Sequence, residues 1–159
     1  MSFSAQLEKR FADLLTHYPI KRSALVPMLL YAQDEIGHVS DEAIEEIARR
    51  VEVRPIEVIE TIGYYSMLHR QPIGRYNLQV CTNISCMLRG GEEILEHCKK
   101  RLGIGHKGTT PDGKFSLEEV ECLGAYCGAP ALQVNYDFCE NLTPERIDAL
   151  IEKLKNGDP

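Results

Sequence analysis

The hydrophobic period changes once along this chain, at Pro72 and Gly74, and the change divides it into a helical part and a part that alternates as strands do. Before it, Leu7, Phe11, Leu14 and Leu15 recur at three- and four-residue steps behind Ser4, which predicts a helix over 4–17 ended by Pro19. A second helix is expected over 23–36, with Pro27 near its first turn, where a missing amide costs least, and Gly37 as its stop. Ser40 caps a third, whose Asp41, Glu42 and Glu45 lie near its positive end while Ile44, Ile47 and Val51 form the buried stripe. Arg54-Pro55 opens a fourth, with Ile56, Ile59, Ile62 and Gly63 as its packed face, and the pattern breaks over 69–72. Residues 1–73 therefore read as a helical bundle.

Beyond Gly74, Tyr76, Leu78 and Val80 alternate on one face of a short strand, with Cys81 at its end. A helix over 91–102 turns Ile94, Leu95, Cys98 and Leu102 inward and stops at Gly103. Phe115, Leu117 and Val120 predict a second strand, and 131–134 with 138–142 a hairpin. Thr143-Pro144 opens a last helix through Leu154, in the preferred cap and first-turn order. Residues 74–159 thus run strand, helix, strand, strand, strand, helix, and the whole chain is of the α+β class, with an α/β-like second half.

The formal net charge of −6 argues against a nucleic-acid partner, because phosphate binding rests on clustered Lys and Arg. Residues 1–10 carry Glu8, Lys9 and Arg10 without an apolar leader core, so a cytoplasmic protein is the expectation. The cytosol keeps thiols reduced, so six cysteines point to metal or redox chemistry before a disulfide framework.

Cys81 and Cys86 are separated by four residues in a loop just past a strand, and Cys122 and Cys127 repeat that arrangement. A 2Fe–2S cluster takes four thiolates, commonly two per iron, and two such loops can supply them. Gly124 and Gly128 let backbone amides approach the sulfurs and stabilise their negative charge. A structural zinc site is the rival; its cysteine pairs usually stand about two to four residues apart on knuckle-like turns, so four intervening residues in both pairs sits at the edge of that range. Thiol–disulfide exchange would favour C-x-x-C, which is absent from the sequence. Cys98, at a core position of its helix, and Cys139, in the hairpin, read as packing residues.

The run Pro72-Ile73-Gly74-Arg75-Tyr76-Asn77-Leu78-Gln79-Val80-Cys81-Thr82-Asn83-Ile84-Ser85-Cys86-Met87-Leu88-Arg89-Gly90 resembles the first cluster loop of the NuoE-type subunit of NADH:quinone oxidoreductase, respiratory complex I. That family extends to NAD-linked hydrogenases and formate dehydrogenases. Further matches are Gly103-Ile104, Thr109-Thr110-Pro111-Asp112-Gly113-Lys114-Phe115, Glu121-Cys122-Leu123-Gly124-Ala125, Ala129-Pro130 and Asn141-Leu142-Thr143-Pro144, with Ala32-Gln33 and Gly63-Tyr64-Tyr65-Ser66-Met67 in the helical half. The resemblance implies a thioredoxin-like 2Fe–2S ferredoxin domain after the helical bundle, and a subunit that is not catalytic alone. It also implies one-electron exchange between the cluster and the FMN of a partner flavoprotein that oxidises NADH. By the same resemblance the helices pack on that partner, with Tyr64, Tyr65, Met67 and Leu68 as candidates for either the docking surface or the core.

One departure stands out. The family's second pair encloses three residues, which would put its fourth cysteine at position 126, where this chain has Tyr126, with Cys127 one residue later. Cys81, Cys86 and Cys122 match directly as cofactor and metal ligands. Cys127 is expected to complete the set if the loop re-aims it, since one residue step is about 3.3 to 3.6 Å. Otherwise Tyr126 replaces it, or the subunit is redox-inactive and structural. The acidic excess predicts a low reduction potential.

Two other patterns carry no function. Gly103, Gly105 and Gly108 satisfy G-x-G-x-x-G but follow a helix, when the dinucleotide fingerprint follows a strand and opens a helix. His17, His69, His97 and His106 are scattered and read as surface or packing residues.

Overall fold

Ser4 accepts the Leu7 N–H at 3.1 Å and so starts helix α1 (Ala5–His17), whose Leu7 and Phe11 turn inward. The structure is a computed structural model that describes residues 3–157. Its chain divides into two compact units, Met1–Pro72 and Ile73–Pro159, each with its own core.

In the first unit a 3-10 turn, Lys21–Ala24, precedes α2 (Leu25–Ile36), so the helix begins two residues later than the sequence pattern suggests. Pro27 then lies in the first turn, where its missing N–H breaks no helical bond. Gly37 closes α2 at φ 88, its N–H reaching Gln33 O at 2.7 Å. Ser40 caps α3 (Asp41–Val51) through the Ala43 N–H at 3.3 Å. The Glu57 carboxylate accepts the Arg54 N–H at 3.1 Å and fixes the start of α4 (Pro55–Tyr64). The packed face of α4 differs from the one expected. Val58 and Ile62, one turn apart, are buried, whereas Ile56 is exposed and Ile59 only partly covered, because the inward stripe follows the four-residue step through Val58. After α4, Gln33 ties the chain back: its Nε2 donates to Met67 O at 2.8 Å and its Oε1 accepts the His69 N–H at 2.6 Å.

Arg50 joins α1 to α3. Its guanidinium grips both Glu8 oxygens at 2.7 and 2.9 Å, donates to Glu46 at 2.6 Å, and lies 5.5 and 5.3 Å from the ring centres of Phe3 and Phe11. The Arg49 guanidinium, with Arg50 beside it, holds the Glu46 carboxyl down from 4.5 to about 2. Arg50→Ala is expected to cost about 2 kcal/mol at neutral pH, through lost charge-assisted bonds and ring contacts. Because the folded state lowers the Glu46 pKa, its contribution is full above about pH 4.5 and fades as pH falls toward 2. Urea midpoints of parent and variant should therefore differ most at pH 7 and draw closer as pH falls toward 2, with the part due to the ring contacts remaining; a gap that stays constant would assign the loss to the ring contacts alone.

In the second unit five strands form a mixed sheet in the order β2-β3-β1-β4-β5: β1 (Tyr76–Cys81), β2 (Gly108–Thr109), β3 (Phe115–Val120), β4 (Leu132–Val134) and β5 (Asp137–Cys139). Only the central pair β1 and β3 is parallel, with Leu78 beside Leu117 and Cys81 beside Val120. Helices α6 (Gly91–Leu102) and α7 (Pro144–Lys155) pack together; Ile94, Leu95, Cys98, Ile147 and Ile151 share one core with Leu78, Val80, Phe115, Leu117 and Leu132. His97 and Arg101 of α6 reach Asp148 of α7 at 3.0 and 3.1 Å, so His97 serves packing. Gly103 ends α6 at φ 69 and Gly108 enters an edge strand, so the glycine run opens no helix.

The two-residue period of β1 decides where its cysteine goes. Leu78 and Val80 enter the helix-covered core, so Asn77, Gln79 and Cys81 belong to the opposite face. There Asn77 and Gln79 donate to Glu118 at 3.3 and 3.1 Å, and Cys81 joins a separate small cluster with Cys86, Ala129 and Ala131.

Candidate metal centre

Cys81 ends β1, its N–H bonded to Ala131 O at 3.1 Å and its thiol directed to Glu121 O at 3.9 Å. Just beyond it lies an element that hydrophobic periodicity does not reveal, the five-residue helix α5 (Ile84–Leu88), started by Asn83 Oδ1 on the Ile84 N–H at 2.6 Å. The Asn83-Ile84-Ser85 triplet is thus a helix start, and α5 carries Cys86 back toward Cys81. Gly91 makes this return possible. A Cβ there would stand 2.8 Å from Cys81 O and 2.9 Å from Cys86 C and O, so only glycine lets α6 begin against both backbones.

Cys122 lies just past β3, the parallel neighbour of β1, so parallel pairing brings both loops to the same end of the sheet. Gly124, at φ 76, turns its N–H onto Cys122 Sγ at 3.4 Å. The Cys122 thiol donates to the Tyr126 hydroxyl oxygen at 3.3 Å, and the phenol O–H donates in return once the thiol ionises. That bond, helped by the Gly124 amide, lowers the Cys122 pKa from its ordinary value, and the bond and charge of Cys122 raise that of Tyr126. Burial pushes the Cys86 thiol up, and the neighbouring Cys81 thiol adds to the shift.

Cys81, Cys86, Cys122 and Tyr126 line one cavity of about 390 Å³ together with Asn83, Ile84, Ser85, Gly124 and Ala125. Cys127 is exposed and is not among the lining residues. Among the described residues, no three Cys, His, Asp or Glu side chains gather tightly enough for a single metal ion. The three thiols line one shared space instead. Cys98 and Cys139 belong to the sheet core, where burial raises both thiols, Cys98 to about 12.

Gly91→Ala is expected to disorder this site. The methyl has backbone on two sides and nowhere to move, so the cost is about 1–3 kcal/mol, concentrated where the first cysteine loop meets α6. Hydrogen exchange of the amides of 81–91 checks it: faster exchange confined to this segment is the expected result, and unchanged exchange would mean the loop has slack.

With these contacts in view, comparison with known proteins gives one family. The profile of the thioredoxin-like [2Fe-2S] ferredoxins matches residues 11–155, and the chain belongs to that family, whose cofactor is a 2Fe–2S cluster. Its relatives include an E-type subunit of NADH-quinone oxidoreductase from Rhizobium meliloti (strain 1021), 46% identical over 141 residues that cover 89% of this chain and 84% of that one. The E-type subunit of the same oxidoreductase from Rickettsia bellii (strain RML369-C) is 43% identical over 147 residues, 91% of this chain and 88% of that one. The chain is therefore of the NuoE type, an oxidoreductase subunit. In fold it also matches an NAD+-reducing [NiFe]-hydrogenase chain with a TM-score of 0.75 at 24% identity, over 86% of this chain but only 23% of the hydrogenase chain.

Three thiols from two loops, one of them backed by a backbone N–H, suit such a cluster. Cys81, Cys86 and Cys122, which line one cavity, are the residues that would hold it. Among the described residues, no helix is long and apolar enough to cross a membrane.

Proposed function

We propose that this chain carries single electrons within an NADH-oxidising complex, holding one 2Fe–2S cluster at Cys81, Cys86, Cys122 and a fourth donor from the turn that bears Tyr126 and Cys127. The partner is the flavoprotein subunit that takes hydride from NADH on FMN, and the chain works on the peripheral, water-exposed arm of that complex, on the cytoplasmic side. The observation that carries this reading is the convergence of three thiols from two loops on one cavity, in a chain 46% identical to an E-type subunit of NADH-quinone oxidoreductase.

When bound, the cluster supplies a centre that accepts and releases one electron at a time. The chain's own residues set the conditions. Cys81 and Cys86 are each only 4% exposed, which keeps water from one side of the site. The Gly124 amide directs a partial positive charge at Cys122 Sγ and offsets negative charge there. Ile84 lines the cavity and is exposed, which gives an electron-exchange partner an apolar rim to pack on. Residues 1–73 form the second docking element. There Tyr64 and Met67 are exposed, whereas Leu68 is buried and belongs to the core.

The test is the chain purified without oxygen. Visible absorption with an axial or rhombic EPR signal after dithionite reduction is expected, along with two irons and two sulfides per chain by the cluster's formula. NADH should reduce the cluster only once the flavoprotein is added. A colourless, EPR-silent chain with stoichiometric zinc would overturn the reading in favour of a structural module.

A further inference from the structure

We infer that Tyr126, not Cys127, is the fourth ligand of the cluster, so that three thiolates and one phenolate hold it; this rests on the chain being a cluster carrier. The phenol oxygen lies at the cavity, 3.3 Å from Cys122 Sγ, and Tyr126 lines the cavity with Cys81, Cys86 and Cys122. Cys127 does not line it. Both residues sit in one 3-10 turn, Tyr126–Gly128, where successive side chains diverge by about a third of a revolution. When one faces the cavity, the next faces away.

Rolling the turn to exchange them would break the bond that ties it to Asn141 and press it against the Glu140 side chain. The Gly128 N–H donates to Ala125 O at 3.2 Å and the Asn141 N–H donates to Gly128 O at 2.6 Å. A Cβ at Gly128 would stand 2.3 Å from Glu140 Cδ and 2.6 Å from its Cβ, so the Glu140 side chain lies directly against the back of the turn. Tyr126 itself is 64% exposed, so its phenol can swing onto iron without disturbing buried packing and its proton leaves directly to water.

Ligation is an acid–base exchange, with no electron transferred. The phenol O–H bond breaks, the proton goes to solvent, and an oxygen–iron bond forms, so the net charge of the site equals that with a fourth thiolate. Phenolate oxygen is a harder donor than thiolate sulfur and favours ferric iron. The cluster should therefore have a lower reduction potential than one with four thiolates, and its oxidised form should carry a phenolate-to-iron charge-transfer band.

The experiment uses the full chain purified without oxygen, in four forms: parent, Tyr126→Phe, Tyr126→Cys and Cys127→Ser. Resonance Raman of the parent, grown with and without ring-deuterated tyrosine, should reveal isotope-sensitive tyrosinate modes. Cys127→Ser should keep the parent's iron, sulfide, Raman and EPR signatures. Tyr126→Phe should retain less than about a tenth of the cluster, in line with the 10- to 100-fold losses that follow removal of groups around a metal. Tyr126→Cys should keep the cluster, lose the tyrosinate modes and shift the potential upward. Iron and sulfide in the parent without tyrosinate modes would overturn the ligand assignment alone, whatever the variants do. A parent that binds no cluster at all would overturn the cluster reading, and this inference with it.

Discussion

Cys86→Ser is expected to reduce cluster iron in the purified chain to less than about a tenth of the parent's, while Cys98→Ala leaves it unchanged. The two thiols are alike in burial, and their neighbours separate them. Cys86 sits on α5, beside the Cys81 thiol and within the field of Cys122, on the wall of the cavity. Cys98 sits on α6 within the core of Leu78, Phe115 and Ile147, where burial pushes its pKa to about 12. Its helix turns it into the sheet core and it does not line the cavity, so iron held there does not reach it. Its removal costs a small cavity, about 1 kcal/mol, that the sheet can carry. Iron and sulfide analysis with visible absorption decides the matter. Retention of cluster by Cys86→Ser with loss in Cys98→Ala would reverse the roles and place the site inside the core.

The features legible in the sequence are those that repeat or cap. Ser4, Ser40 and Thr143 each accept a hydrogen bond at the start of a helix, as their position before an apolar stripe implies. The core membership of Cys98 comes from helical period alone. The features that are not legible are short or three-dimensional. Helix α5 is five residues long, less than two turns, so it offers no period to detect. Strand β2 has two residues and exists only because β3 pairs with it. The face of α4 is easily misjudged because three isoleucines outweigh Val58, although Val58 and Ile62 make the better one-turn pair. Gly91 gives no sign of its importance, since the close approach it allows comes from Cys81, ten positions away in sequence. The second loop shows the limit most sharply. The repeat of the first pair's spacing points to Cys127 and the family's spacing to position 126; residue counting cannot choose between them, whereas the 3-10 turn at Tyr126–Gly128 has Tyr126 among the cavity's lining residues and Cys127 outside them.

Leu117→Ala, in the sheet centre, is expected to lower the stability of the second unit by about 3 kcal/mol and its melting midpoint by roughly 15 °C. Leu117 is fully buried, with Leu78 beside it on β1 and Gly108 on β2. Truncation leaves a hole where two strands and the helix layer meet. The consequence for the cluster comes from topology: Cys81 ends β1 and Cys122 follows β3, so the pair that Leu117 helps hold is the frame on which both loops hang. If iron escapes only when this frame opens, a loss of about 3 kcal/mol raises the open fraction, and the rate at which a chelator strips iron, about 100-fold. Cluster and fold would then protect each other, as metal binding and folding do when the site does not pre-exist in the unfolded chain. The alternative is release by fraying of the exposed second loop alone. In that case the melting midpoint falls while the chelation rate stays within about a factor of two, and a separate variant in that loop, Gly124→Ala, accelerates release instead, because a residue with a side chain is strained at φ 76.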